Sequence, residues 1–283
     1  MGRLYLAFAI INPIIFKTKR GTPMLLGVNI DHIAVLREAR KVADPDPLDA
    51  LSICKRAGAD QITIHLREDR RHMQDSDAQN IISLSALPVN LECAMSQEMI
   101  EIASTLRPHR VTLVPEKREE VTTEGGLDLI QNRERLQEVI ATLQAKEIEV
   151  SLFIDPTEEM VECAMELNVE WVEFHTGHYA NLYAMLYTNL SKTHHSITSL
   201  PTSRKALKEA LDISLFNLKS LALKAYNGNL RIAAGHGLTM HNVDAIVAIK
   251  EIEELNIGQS IIARSIFVGL EQAIIDMRTK VQR

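Results

Sequence analysis

From Met24 onward, short apolar runs alternate with longer amphipathic stretches. The runs are LLGVNI at 25–30, QITIHL at 61–66, PVNLEC at 88–93, RVTLV at 110–114, EVSLFI at 149–154, WVEFH at 171–175, LRIAA at 230–234 and ELNIG at 254–258. They are rich in β-branched residues and read without a polar face of period two, which predicts strands buried on both sides. Helical signals fall between them. Pro47 to Ala57 follows the stop-and-start sequence DPDP, and Ser96-Gln97-Glu98 and Pro156-Thr157-Glu158-Glu159 supply capping residues with early acids. Helical spacing predicts further helices over 128–145, 204–226, 240–252 and 260–280, while the polar stretch 191–203 reads as a long loop or insertion. Eight strand units, each followed by a helix or turn, predict a (β/α)8 TIM barrel of one domain over 24–283. A doubly wound open sheet is the runner-up, disfavoured because no GxGxxG follows the first strand.

The N-terminus departs from that pattern. Residues 4–16, LYLAFAIINPIIF, are almost wholly apolar, and Lys17, Lys19 and Arg20 follow them. A bilayer span needs roughly 20 such residues, and a signal peptide places its positive charge ahead of the run. Residues 1–23 are therefore expected to be an extension outside the fold, with a natural start at Met24; a membrane-associating segment is the alternative.

Composition narrows the function. The 31 basic and 37 acidic residues give a net charge of -6, which argues against a nucleic-acid partner but leaves anionic small molecules open. Cys54, Cys93 and Cys163 are widely spaced and form no CxxC pair, as expected for inert thiols in a reducing, cytoplasmic setting. No stable membrane association is expected.

Barrel enzymes carry their chemistry at the C-terminal strand ends, and the polar residues concentrate there. Strand one runs into Asn29, Asp31 and His32; strand two into His65 and Arg67; strand three into Asn90 and Glu92; strand four into Pro115-Glu116-Lys117-Arg118. Strand five ends at Asp155, strand six holds Glu173, His175 and Thr176, strand seven ends in Gly235-His236-Gly237 and strand eight in Asn256, Gly258 and Gln259. Asp31 or Asp155 alone could be a helix cap, and 68–71 could be a solvated loop. His65, Glu92, Glu173 and His236 resist that reading, because an unpaired charge at a buried strand end is unfavourable. Glycines at the ends of strands seven and eight fit a phosphate site of backbone N–H groups and a helix N-terminus, with Arg40, Arg67 and Arg71 available for a second anion. The polar loop 115–128, with Gly125-Gly126 as a hinge, is a candidate lid; the alternative is an ordinary exposed loop.

The motifs GVNIDHIAVLREAR (27–40), ITIHLREDRRH (62–72), LVPEKREEVTTEGGLD (113–128), SLFID (151–155), EFHTGHYA (173–180), AGHGL (234–238) and ELNIG (254–258) together resemble the pyridoxine 5'-phosphate synthase family of vitamin B6 biosynthesis. The resemblance runs from about Leu25 to the last helix. It implies a homo-octameric (β/α)8 barrel that joins two phosphorylated small molecules without a metal or organic cofactor. The substrates would be 1-deoxy-D-xylulose 5-phosphate and 3-amino-2-oxopropyl phosphate, and the products pyridoxine 5'-phosphate, phosphate and water. It further implies acid/base roles for His65, Glu92 and His236 and a transition-state role for Glu173. Asn29, Arg40, Gly237, Gly258 and Gln259 would bind the aminoketone phosphate; Asp31, His32, Arg67, His72 and Thr122 would bind the ketose phosphate. Gln259 stands where the family pattern has histidine, and Ala263 where it has glycine. Two rival readings remain. One is a metal site built from Asp31, His32, His65, His175 and His236, disfavoured by the flanking arginines. The other is a barrel that binds a phosphorylated metabolite without turning it over.

Overall fold

The computed structural model describes residues 23–116 and 125–282. Eight parallel strands close into a barrel in sequence order, with the first pairing the last. They are β1 (Leu25–Asn29), β2 (Gln61–His65), β3 (Val89–Cys93), β4 (Arg110–Leu113), β5 (Glu149–Ile154), β6 (Trp171–His175), β7 (Arg231–Gly235) and β8 (Glu254–Ile257). The helices around them are α1 (Asp31–Arg40), α2 (Ala50–Arg56), α3 (Asp75–Leu84), α4 (Gln97–Leu106), α5 (Arg133–Gln144), α6 (Glu158–Glu166), α7 (Gly177–Tyr187), α8 (Arg204–Asn227), α9 (Val243–Val247), α10 (Gln259–Val268) and α11 (Leu270–Val281). None of the helices among the described residues is long and apolar enough to cross a membrane.

Local chemistry explains most boundaries. Thr157 caps α6, its hydroxyl accepting from Met160 N–H, and Ser203 caps α8 by accepting from Ala206 N–H. Asp46 starts the short 3-10 turn Pro47–Asp49 that leads into α2. The stretch 191–203 is mostly irregular, as its polarity predicts. Two predicted helices need correction. The 240–252 segment is helical only over α9, because the chain leaves it through successive turns to reach β8. The 260–280 segment is broken at Gly269, whose φ of 82° ends α10 and starts α11. Asp31 and His32 form the first turn of α1, beyond the strand end where the sequence pattern places them.

A third correction concerns the strands. They do alternate, and both faces are buried. On β2, Ile62 and Ile64 join the apolar core shared with the helices, whereas Gln61 and Thr63 hydrogen-bond to Glu254 and Asn256 of β8. β2 and β8 are not neighbours, so these bonds cross the barrel interior. Arg110 on β4 likewise reaches across to Glu254, at 2.8 Å. Its guanidinium lies 3.7 Å from the Trp171 ring centre, and the Arg231 guanidinium lies 3.9 Å from the same ring. The interior therefore has a charged, fully packed floor. The period-two pattern is hard to read because its polar half is buried as deeply as its apolar half.

Candidate active site

Above that floor, at the C-terminal strand ends, lies a cavity of about 540 Å³. Asn29, Asp31, His32, His65, Arg67, His72, Glu92, Glu173, His236, Gly237, Gly258 and Gln259 all line it. Barrel register brings them together: His65 pairs with Glu92 across β2 and β3, and Gly235 pairs with both His175 and Asn256. One described residue of the predicted set is not in its wall. Arg40 stands at the exposed far end of α1. Thr122, with most of the candidate lid, lies outside the described residues.

One wall is built around His65. Its backbone N–H donates to Asp31 Oδ1 at 2.8 Å, while Asn29 Nδ2 donates to Asp31 Oδ2 at 2.8 Å. The first strand thereby anchors the end of the second. On the imidazole, Nε2 lies 2.9 Å from Glu116 Oε1 and Nδ1 lies 4.0 Å from Glu92 Oε2. Burial pushes the Glu92 carboxyl well above its ordinary range, and the neighbouring charges of Glu173 and Asp31 push it further. Burial also lowers His32 and His72, favouring neutral imidazoles despite Asp31 nearby.

Glu173 occupies the deepest position. Asn256 Nδ2 donates to its Oε2 at 2.7 Å, and Asn256 Oδ1 accepts from Thr63 Oγ1 at 3.1 Å, which fixes the amide's orientation. Burial raises Glu173 to about 7, the Asn256 hydrogen bond opposing the rise. Room for this carboxylate comes from Gly235, where a Cβ would sit 2.2 Å from Glu173 Oε1.

The opposite wall presents His236 from a strained backbone, φ 78°. Thr176 holds it there: its hydroxyl hydrogen lies within reach of both Gly235 O (2.6 Å) and His236 O (2.7 Å), and its N–H donates to Gly235 O. Asn242 Nδ2 donates to Gly237 O at 3.0 Å, pinning the next peptide. Burial lowers His236 to about 4, and the adjacent His175 adds to the effect. The two rings meet edge to face with centres 4.8 Å apart. His175 Nδ1 is 2.8 Å from Asp155 Oδ1. At the eighth strand, Gly258 precedes α10, so the helix N-terminus opens on the cavity with Gln259 as its first residue. That end attracts anions through unsatisfied N–H groups.

Sequence reasoning missed Glu116 and Asn256 as site residues and gave no orientation to His175. Both missed residues stand in strand-end segments, but their contacts run to β2 and β6, and sequence spacing carries no signal for that. Among the described residues, no group of three His, Cys, Asp or Glu side chains is placed to hold a metal ion, so the rival ligand set is dispersed.

Fold and site together define the class, a (β/α)8 barrel with carboxyls, imidazoles and a helix N-terminus gathered at the C-terminal rim. The chain belongs to the family described as pyridoxal phosphate biosynthesis protein PdxJ, whose model matches residues 26–283. It is 70% identical over 256 residues to a pyridoxine 5'-phosphate synthase from Sulfurovum sp. (strain NBC37-1), covering 90% of this chain and 99% of the relative. It is 63% identical over 255 residues to one from Aliarcobacter butzleri (strain RM4018), covering 90% and 98%. The barrel alone is shared with a structure of monomers generated from the dimeric phosphoribosylanthranilate isomerase of Thermotoga maritima, at 12% identity and a TM-score of 0.53, covering 91% of this chain and 98% of that one.

Proposed function

We propose that this barrel condenses 1-deoxy-D-xylulose 5-phosphate with 3-amino-2-oxopropyl phosphate to give pyridoxine 5'-phosphate, phosphate and water. The observation that carries this reading is one cavity, in a member of this family, lined by His65, Glu92, Glu173 and His236 together. The amine adds to the ketone of the ketose phosphate and water leaves to form an imine. Phosphate is eliminated from the ketose portion, water adds to the unsaturated intermediate, and an aldol-type closure with loss of two further waters makes the ring, so that one phosphate and two waters are released in all. Each step moves protons, which suits a cavity that holds carboxyls raised above their ordinary range beside an imidazole kept neutral.

In this reading, Glu92 and His65 exchange protons with the substrates around amine addition and elimination. His236, kept neutral by burial, is free to accept a proton at ring closure. Glu173, when ionised, stabilises positive charge on nitrogen. The aminoketone phosphate is assigned to Asn29, Gly237, Gly258 and Gln259, where the helix N-terminus at Gly258 supports a phosphate; Arg40, outside this cavity, is assigned to it on the family resemblance alone. The ketose phosphate is assigned to Asp31, His32, Arg67, His72 and Thr122.

Residues 24–283 are proposed to suffice for this activity, acting in the cytoplasm; three free, buried cysteines support a reducing setting. A homo-octamer is the proposed assembly, and the exposed Ile266 and Phe267 of α10 offer apolar surface for contact between copies. Sedimentation analysis tests it: a monomer at micromolar concentration would remove the octamer. For the reaction, protein starting at Met24 is mixed with both substrates and a chelator while pyridoxine phosphate and free phosphate are followed. Equal appearance of the two products is expected. Binding of both substrates without turnover would overturn the reading in favour of a metabolite-binding barrel.

A further inference from the structure

We propose that Glu116, just beyond β4, is a positioning residue that holds the His65 imidazole with its proton on Nε2 and its Nδ1 lone pair toward Glu92. The inference rests on the acid/base reading of His65 above and adds a residue that reading does not use. Glu116 is more deeply enclosed than its loop position implies, with a side chain 4% exposed beside the 10% of His65. One carboxylate oxygen takes His65 Nε2 at 2.9 Å; the other accepts from Glu68 N–H at 3.0 Å. Burial alone would raise this carboxyl; the hydrogen bond from His65, the Glu68 N–H and the Arg67 guanidinium act against it and favour the ionised form.

An ionised carboxylate can only accept, so the proton between these groups belongs to His65 Nε2. A neutral imidazole then carries its lone pair on Nδ1. That nitrogen faces Glu92, which burial and like charges keep protonated. Their separation of 4.0 Å is too long for a direct hydrogen bond. A substrate atom between them could give a proton to His65 Nδ1 and receive one from Glu92. The step leaves an imidazolium against Glu116 and a carboxylate at Glu92, and the reverse transfer restores both. Among the described residues, the other charged or titratable groups in contact with His65 are Asp31, which holds its backbone, and His72, with ring centres 6.1 Å apart. Neither bonds to the imidazole nitrogens, so Glu116 alone among these groups selects the tautomer.

The rival role is a tether: through Glu68, Glu116 could merely hold the segment carrying Arg67 and His72. Nitrogen-15 NMR of histidine-labelled, substrate-free protein separates the two, with the His65 signal assigned by its loss in His65→Gln. The wild type is expected to show the Nε2–H form. Glu116→Ala should mix or reverse the tautomers and lower kcat about 100-fold, with KM for each substrate within about threefold. Glu116→Gln retains an acceptor, so it should keep the tautomer and lose about tenfold in kcat, the charge having gone. It also carries the test if the alanine variant fails to fold. An Nδ1–H form in the wild type, an unchanged kcat in both variants, or a loss confined to KM for the ketose phosphate would overturn the proposal. Because the tautomer is read without turnover, a failed reaction assignment would leave this result standing, and the reverse holds too.

Discussion

The floor and the mouth of this barrel treat buried charge in opposite ways. On the floor, Glu254 meets Arg110 at 2.8 Å with both side chains almost wholly enclosed, and Gln61 donates to the same carboxylate. At the mouth, Glu92 and Glu173 are enclosed with no cation in hydrogen-bond contact among the described residues, and burial raises both carboxyls above the ordinary range. Paired charge on the floor gives a fixed structure and no chemistry. Unpaired carboxyls at the mouth are less stable when ionised, and for that reason can exchange protons near neutral pH.

The comparison breaks most visibly at Glu92. Glu92→Gln resembles the protonated side chain, so turnover should fall by about 10²- to 10⁴-fold while the thermal midpoint at neutral pH stays close to wild type. Near-normal turnover with an unchanged pH profile would end the proton-transfer role. Glu254→Ala should do the reverse. It leaves Arg110 in the interior with only the longer ion pair to Glu149 at 3.6 Å and should destabilise the fold by up to about 3–5 kcal/mol in urea titrations, leaving specific activity of the folded fraction nearly intact. A stable variant with lost activity would mean that the floor takes part in the chemistry.

Smaller changes sharpen the contrast. Asn256→Ala removes the hydrogen bond that opposes the rise of Glu173, so the Glu173 carboxyl should titrate at still higher pH, measured by carbon-13 NMR of labelled glutamate. Stability against pH supplies another test. The folded value of about 7 for Glu173 lies above its ordinary 4.5, so its favourable contribution is complete below 4.5 and lost as pH rises through about 7. His236 has the opposite sign: lowered from 6.5 to about 4, its contribution is present above 6.5 and lost as pH falls through about 4. Denaturation between pH 4 and 8 should therefore show Glu173→Gln flattening the alkaline loss and His236→Gln the acid loss. The smallest effect is expected for Gln259→His, which should tighten the aminoketone phosphate by about threefold if a ring charge assists the helix end. Identical affinity would assign that role to backbone N–H groups alone.

The same contrast explains what the sequence discloses. Strand positions were legible because short β-branched runs separated by amphipathic stretches leave little choice, and all eight predicted strands fall within a residue or so of those observed. The candidate residues lining the cavity were legible because the fold itself places chemistry at strand ends. Glu116 was legible only as a strand-end residue, since its contact with His65 lies 51 positions away. Asn256 was named as a strand-end residue, but its contacts with Thr63 and Glu173 span 193 and 83 positions. The break at Gly269 was missed because apolar spacing continues through it, while a single left-handed residue redirects the chain.

Closure of β1 on β8 has a consequence for how the protein comes into being during synthesis. Until the eighth strand emerges from the ribosome, Thr63 and Glu173 lack Asn256, Arg110 lacks Glu254, and β1 and β7 present open edges. No shorter nascent chain can hold a working site. Catalysis begins only when the last strand has joined the first.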